Sequence, residues 1–509
     1  MLAKIVSGAT IGLEGCLVEV EVDVPGEGLP AFNIVGLPDK AVEESKERVR
    51  SALKNSGADF PGGRVTVNLA PADLPKVGPA YDLPIALGLM VASGQIPNLT
   101  SESLFFGELS LDGNLRHTNG VLPIVYLARE KGIKKVFIPK VNQEEASIVS
   151  GVSIYPVENL ISLVRFFMGT FEIKPVGKTD LSVLLKNTPA EFDFSEIIGQ
   201  EHAKRAMEIA AAGSHNIFMK GTPGSGKTML ARALPGILPR LTEDEALEVT
   251  KIYSVTGNLS SGQSIVTTRP FRSPHHTTSR VGLIGGGSNL TPGEVSLAHR
   301  GVLFLDEFPE FPRNVLESLR QPLEDGKVTI SRAKGSVTYP ASFLLVAAAN
   351  PCPCGYYGDP KRVCKCLPGQ IARYQKRISG PILDRIDIHI EVPSVETQKL
   401  VSEAKIKPEF SKEIQSRVQK ARERQTKRFK GTNLKSNSEM GTRDVKKYCP
   451  LSDDCRTILR SAIATLNLSA RGYFKVIKVA RTIADLEGSE EISVNHIAEA
   501  LQYRIKDES

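Results

Sequence analysis

Residues 221–228 read Gly221-Thr222-Pro223-Gly224-Ser225-Gly226-Lys227-Thr228. This fills every fixed position of a phosphate-cradling turn, G-x-x-x-x-G-K-[ST]. Its glycines let backbone N–H groups converge on phosphate oxygens. Lys227 is placed to reach the β- and γ-phosphates, and the Thr228 hydroxyl to ligate Mg²⁺. Downstream, the apolar run Val302–Leu305 ends in Asp306-Glu307. Asp306 would hold the Mg²⁺ shell and Glu307 would polarise the attacking water. A second apolar run, 343–348, leads to Asn350, whose amide could position that water against the γ-phosphate. The expected ligands are therefore ATP and Mg²⁺, and the expected chemistry is hydrolysis.

A further cluster lies just after Asn350. Cys352, Cys354, Cys364 and Cys366 form C-x-C-x₉-C-x-C. Four thiolates can close a tetrahedral zinc site, although this spacing is tighter than the common C-x₂-C. The competing reading is four reduced cysteines in a polar loop. Cys16, Cys449 and Cys455 have no partners in sequence and are expected to pack. The neighbours His275-His276 lack acidic partners in sequence, which favours a loop or nucleic-acid role over metal binding.

These residues need elements to hold them. The short apolar strand 216–219 precedes the glycine turn and the helix-forming sequence MLARAL follows it, the context a phosphate site requires. From 193 to 395 the pattern is strand, glycine turn, helix and further strands, which predicts an α/β unit with a parallel sheet. Residues 1–170 form a separate α/β domain, with a strand at 65–69, an apolar helix at Asp82–Ala92, a helix near 122–130 and a strand at 135–138. Residues 171–192 lack a sustained period and read as a linker. Residues 396–509 read as a helical lid, with a basic stretch followed by helices over 454–464 and 471–486.

The chain has 509 residues, more than one hydrophobic core can serve. It shows no apolar run of membrane-spanning length, and its N-terminus alternates like a strand, so a cytoplasmic location is the default. A net charge of +7 permits an anionic partner.

The pattern resembles AAA+ ATPases of the magnesium-chelatase-like branch, and within them the ComM/YifB family. The likeness is carried by DFSEIIGQEHAKRAMEIAAAGSHNIFMKGTPGSGKTMLARALPGILP (193–238), RPFRSPHHTTSRVGLIGGG (269–287), PGEVSLAHRGVLFLDEFPEF (292–311), NPCPCGYYGDP (350–360), GPILDRIDIHIEV (380–392) and SARGYFKVIKVARTIADLEG (469–488). The resemblance implies that Asn350 is sensor 1, that Arg385 is an arginine finger given to a neighbouring subunit, and that Arg471 is sensor 2, with Arg481 as the second choice. A finger in trans implies a homo-oligomer, and the family suggests a hexamer. The segments 75–94 and 106–140 resemble the proteolytic domain of Lon, but Ala80 stands in the serine's place and Leu122 in the lysine's. That implies a protease-like fold without protease chemistry, used for assembly or substrate guiding.

The same resemblance places loops of this kind in a ring's pore. Residues 262–300 carry Arg269, Arg272, Arg280 and Arg300 around Gly285-Gly286-Gly287. Residues 327–340 read as a hairpin with Arg332 and Lys334 near its turn. A ring of such loops would grip a phosphate backbone with little base readout, since Phe271 and Tyr339 are the nearby stacking candidates. The basic stretch 417–430 reads more simply as a solvated helix face. The implied function is an ATP-driven DNA translocase or helicase acting in branch migration on single-stranded or branched DNA. The rival is a protein-remodelling motor like the magnesium-chelatase ATPase subunit. A non-hydrolysing nucleotide-switched scaffold fits poorly with Glu307 and Arg385.

Overall fold

The computed structural model describes residues 1–25, 29–177, 184–185, 192–259, 263–287, 290–332, 335–394, 409–466 and 468–504. Most of the expected linker 171–192, the start of the expected lid, and Lys334 lie outside these residues.

The N-terminal part is built on a mixed seven-stranded sheet. In spatial order the strands are Ala31–Val35, Arg64–Ala70, Glu14–Asp23, Leu2–Ile11, Ser103–Phe105, Lys135–Pro139 and Ser153–Val157. The long antiparallel pair of Leu2–Ile11 and Glu14–Asp23 is its spine, and the strand Arg64–Ala70 alternates buried and half-exposed side chains as a one-faced strand must. The helix Asp82–Ala92 has no polar face, and all of its residues are buried. Such a helix must be covered all round. Its N-terminal Asp82 stays inside because Arg48 grips it through two bonds of 2.7 and 3.1 Å. Ala80 and Leu122, the positions that match the Lon dyad, are both buried apolar side chains.

The central part carries a five-stranded sheet in the order Phe271–Arg272, Val302–Leu305, Leu344–Ala349, Ile217–Gly221 and Ile388–Val392. Every neighbouring pair is parallel. Two of the three inner strands, Val302–Leu305 and Leu344–Ala349, are buried at every position. That is why they read as unbroken apolar runs: helices cover both faces of a parallel sheet. One consequence decides the site. All five C-terminal strand ends point to one edge of the sheet, and all N-terminal ends to the other.

The C-terminal part is helical. Its long helices Ser411–Arg428 and Ala470–Glu487 pack on the helix Glu201–Gly213 in one shared core with the sheet. The N-terminal part also touches the centre. Gly120 N–H donates to Ser254 O (3.0 Å), and Lys251 Nζ sits 4.0 Å from the Tyr126 ring centroid. Leu13, in the turn after Leu2–Ile11, packs into the apolar cluster that holds Val337 and Tyr339 of the hairpin Lys327–Arg332/Gly335–Pro340.

Candidate active site

The glycine turn follows the strand Ile217–Gly221 at its C-terminal end and opens the helix Lys227–Ala233. Gly224 (φ 77°) and Gly226 (φ 92°) take left-handed conformations that a side chain would oppose. Lys227 Nζ donates to Gly221 O (2.9 Å), Thr222 O (2.9 Å) and Asn350 Oδ1 (3.3 Å). Burial lowers its pKa, against the pull of Asp306. These acceptors are weaker than phosphate oxygens, so the ammonium is held ready for a triphosphate.

Thr228 Oγ1 donates to Asp306 Oδ2 at 2.9 Å across two neighbouring elements. A hydroxyl and a carboxylate are hard oxygen donors, which suits Mg²⁺ with waters and phosphate completing its shell. Asp306 Oδ1 accepts the Glu307 N–H at 2.9 Å. Glu307 adopts φ 50°, unusual for a residue with a side chain. Its half-exposed carboxylate meets His276, with Nδ1 and Oε2 3.0 Å apart. The structure thus gathers Lys227, Thr228, Asp306, Glu307 and Asn350 at the C-terminal ends of three adjacent strands.

Arg385 and Arg471 are brought together elsewhere. Both hold the carboxylate of Glu324, Arg385 on Oε2 and Arg471 on Oε1. They line a cleft of about 860 Å³ that also contains Asn216, Asp387 and Lys475. Asn216 precedes the P-loop strand, and Arg385 precedes the parallel strand Ile388–Val392. This cleft therefore lies at the N-terminal edge of the sheet, opposite the glycine turn. A five-residue strand separates the two edges by roughly 16 Å. Asp387 anchors the cleft floor, with Lys475 Nζ at 2.8 Å. Burial alone would raise that carboxyl, but Lys475 and His215 outweigh it and hold it well below the usual range.

Arg481, the second choice for sensor 2, is corrected by the structure. It is 1% exposed and bonded to Asp485, Ser489 O and Glu490 O inside the helical part. It is a packing group.

Two of the candidate nucleic-acid residues are corrected as well. Arg269 is bonded to Pro239 O, Arg300 O and Arg240 O and paired with Glu245 at 2.8 Å, so its fork faces inward. Arg272 makes a two-pronged pair with Glu294, at 2.6 and 2.8 Å. Arg300 pairs with Glu248, whose pKa His299 and Arg300 hold down at about 2. Arg280 and Arg332 are exposed, and Lys334 lies outside the described residues. The helix over 417–430 keeps Arg417, Lys420, Arg424, Lys427 and Lys430 exposed, as a solvated basic face does, while three of its arginines also bond to neighbouring elements. Arg417 holds Glu208, Arg422 caps Ala211 O and Ser214, and Arg428 holds Asp485. These three arginines tie the helical part to the core.

The four clustered cysteines converge. The sulfurs of Cys352, Cys354 and Cys364 are 3.3, 3.7 and 3.6 Å apart, and all four sulfurs, Cys366 included, lie within 4.8 Å of one another. A tetrahedron with Zn–S bonds of about 2.3 Å has S···S edges of about 3.8 Å, whereas a disulfide needs about 2.05 Å. Backbone N–H groups of Tyr357 and Cys366 point at Cys352 and Cys364 sulfurs (3.3 and 3.5 Å). The donor set fits zinc. The loop also leans on the phosphate turn: a Cβ on Gly355 (φ 85°) would stand 2.5 Å from Pro223.

Nothing in the local sequence marks the partners of Arg385, Arg471 and Glu307. Glu324 and His276 lie far along the chain from the residues they hold, and only the fold brings them together.

The profile described as "Magnesium chelatase, subunit ChlI" matches residues 193–400, "Subunit ChlI of Mg-chelatase" matches 18–142, and "Magnesium chelatase, subunit ChlI C-terminal" matches 408–504. The competence protein ComM of Haemophilus influenzae is 44% identical over 99% of this chain and 97% of its own length. The YifB protein of Escherichia coli is 42% identical over 98% of this chain and 96% of its own. The magnesium-chelatase 38 kDa subunit of Rhodobacter capsulatus is 24% identical over 62% of this chain and 88% of its own. Among the described residues, no helix is long and apolar enough to cross a membrane. With this likeness running end to end and a parallel-sheet core around the glycine turn, the chain belongs to the ComM/YifB family of magnesium-chelatase-type AAA+ proteins.

Proposed function

We propose that the chain is an ATP-dependent DNA motor, a cytoplasmic translocase or helicase of the ComM kind that works in branch migration on single-stranded or branched DNA. ATP and Mg²⁺ bind at residues 221–228 with Asp306. Glu307 orients and deprotonates the attacking water while Asn350 and Lys227 hold the γ-phosphate. One observation carries the oligomeric part of this reading: Arg385 and Arg471 stand together at the sheet edge opposite their own glycine turn. Guanidinium groups placed there serve a pocket on a neighbouring copy, where they offset charge on the transferring phosphoryl group. A closed ring, a hexamer in this reading, repeats that arrangement at each interface. The DNA part rests on likeness to the competence protein along its whole length. Arg280, Arg332 and Lys334 remain as the phosphate-contacting candidates.

Cys352, Cys354, Cys364 and Cys366 bind one Zn²⁺ as a structural tetrathiolate that braces the loop against Pro223. The N-terminal part, with Ala80 and Leu122 in place of a nucleophile and base, guides assembly or substrate. A protein-remodelling activity is the second reading. The inward pairing of Arg269 and Arg272 favours it, because these two cations are engaged within the chain.

The deciding experiment is the ATPase rate with and without single-stranded DNA over a salt series. Stimulation that fades steeply with salt supports the DNA motor. Stimulation by a protein partner alone supports the second reading.

A further inference from the structure

We propose that the N-terminal part is a strut that positions the hairpin Lys327–Arg332/Gly335–Pro340 on nucleic acid, acting through the turn Gly12-Leu13. The inference rests on the reading of this hairpin, through Arg332 and Lys334, as a DNA contact. The hairpin has two unlike faces. Val328 opposes Tyr339 and Ile330 opposes Val337, which makes one face apolar. On the other face Thr329 meets Thr338 and Ser331 meets Ser336, through hydroxyl bonds of 3.0 and 2.9 Å. Two strands alone are marginal in water, so the apolar face must be covered. Part of the cover is local. A Cβ on Gly285 would stand 2.8 Å from Ile330 Cδ1, and Tyr339 O–H donates to Leu290 O at 2.7 Å.

More of the cover comes from the far N-terminal end of the chain. Gly12 and Leu13 form the turn between the spine strands Leu2–Ile11 and Glu14–Asp23. A Cβ on Gly12 would stand 2.5 Å from Val337 Cγ1 and 3.9 Å from Tyr339 Cε1, so this backbone lies directly against the hairpin. Leu13 is half-buried against the apolar cluster that holds Val328, Ile330 and Tyr339. A strut needs a second seat, and the helix Glu243–Thr256 supplies it. Gly120 N–H donates to Ser254 O there, and Leu247 packs against the cluster of Leu122 and Val125. Asn119 fills the space beside Gly257, where a Cβ would stand 2.7 Å from its Nδ2. The two seats belong to one packed body. A Cβ on Gly120 would stand 2.8 Å from Thr10 Cγ2, in the strand that leads into the turn. The position of the helix Glu243–Thr256 therefore sets the position of the hairpin.

The test uses the full-length protein with Leu13→Asp, Leu13→Ala, Leu13→Met and, as a control on the exposed side of the same turn, Glu14→Ala. Backbone hydrogen exchange is read together with ATP turnover, with and without single-stranded DNA of mixed sequence. Leu13→Asp puts a charge into an apolar contact. It should speed exchange over 328–332 and 335–339 about tenfold and leave the strands Val302–Leu305 and Leu344–Ala349 as in wild type. DNA-free turnover should stay within about twofold, because Leu13 lies away from the phosphate turn. Stimulation by DNA should fall at least about fivefold, because the hairpin is no longer held in place. Leu13→Ala should fall between Leu13→Asp and wild type. Leu13→Met refills the volume and should restore both readouts, and Glu14→Ala should change neither. A contact that only adds stability would lower the thermal midpoint and DNA-free turnover together and leave the stimulation ratio unchanged. That result overturns the proposal, as does hairpin exchange in Leu13→Asp as slow as in wild type. If DNA does not stimulate the wild type, the DNA reading fails, and exchange over the hairpin alone decides whether the turn holds it.

Discussion

Arg471 Nη2 lies 3.1 Å from Glu324 Oε1, on the same carboxylate whose other oxygen is held by Arg385. One acid, drawn from the helix Arg320–Asp325, gathers an arginine that precedes the last strand of the core and an arginine of the helical part. The two cations hold Glu324 below the usual carboxylate range, Arg385 contributing most. In the proposed ring the two arginines would face a neighbouring copy as a single unit.

That arrangement separates two arginines that look alike in sequence. Arg471→Ala should leave the thermal midpoint within about 2 °C of wild type, because its side chain is half-exposed, and should lower ATP turnover at least tenfold. Arg481→Ala should do the reverse. It removes a buried cation from Asp485 and two carbonyls, a loss of about 3 kcal/mol. Paired thermal melts and ATPase assays check both. A stable, inactive Arg481→Ala beside a fully active Arg471→Ala would reverse the assignment.

Glu145 gives a pH prediction. It is 3% exposed, and burial pushes its pKa up to about 7 despite the bond from Asn142. The folded state therefore holds a proton that the unfolded chain releases near pH 4.5. Between these values stability falls as pH rises, by at most about 3 kcal/mol, and above pH 7 the cost is fully present. Glu145→Gln keeps the bond from Asn142 without the charge. Its melting midpoint should exceed that of wild type at pH 8 and match it at pH 5. Equal midpoints at both pH values would contradict this.

Much of the phosphate site was legible because its chemistry is local. Gly221–Thr228 and Asp306-Glu307 announce themselves by residue type, and each sits at the end of an apolar run that becomes a buried parallel strand. The inward arginines were not legible. Arg269, Arg422 and Arg428 read as free cations because their partners Glu245, Ser214 and Asp485 lie 24, 208 and 57 positions away. The helix over 417–430 reads as solvated by composition and keeps most of its cations exposed, but its other face carries Ile414, Val418 and Ala421 into the core and lets Arg422 and Arg428 reach inward. The pairing of His276 with Glu307 was hidden for the same reason: adjacent histidines without nearby acids carry no signal until the fold supplies the acid.

The cysteine cluster predicts about one zinc per chain in protein purified without chelators. Cys364→Ser together with Cys366→Ser should abolish it. ATP affinity should also weaken, because Gly355 packs against Pro223 of the phosphate turn. Metal analysis by mass spectrometry and a nucleotide-binding titration read the two effects. Neither zinc nor iron in the wild-type protein would end the metal reading.

The shared pocket is tested most directly by mixing two dead variants, Lys227→Ala and Arg385→Ala. Each alone should lose ATP turnover, the first for want of a phosphate ligand and the second for want of a finger in trans. Combined in equal amounts, roughly a quarter of the interfaces pair an intact glycine turn with an intact finger. Turnover should recover to about that fraction of wild type. If the mixture stays as inactive as its components while the subunits exchange freely, each chain completes its own pocket and the account is wrong.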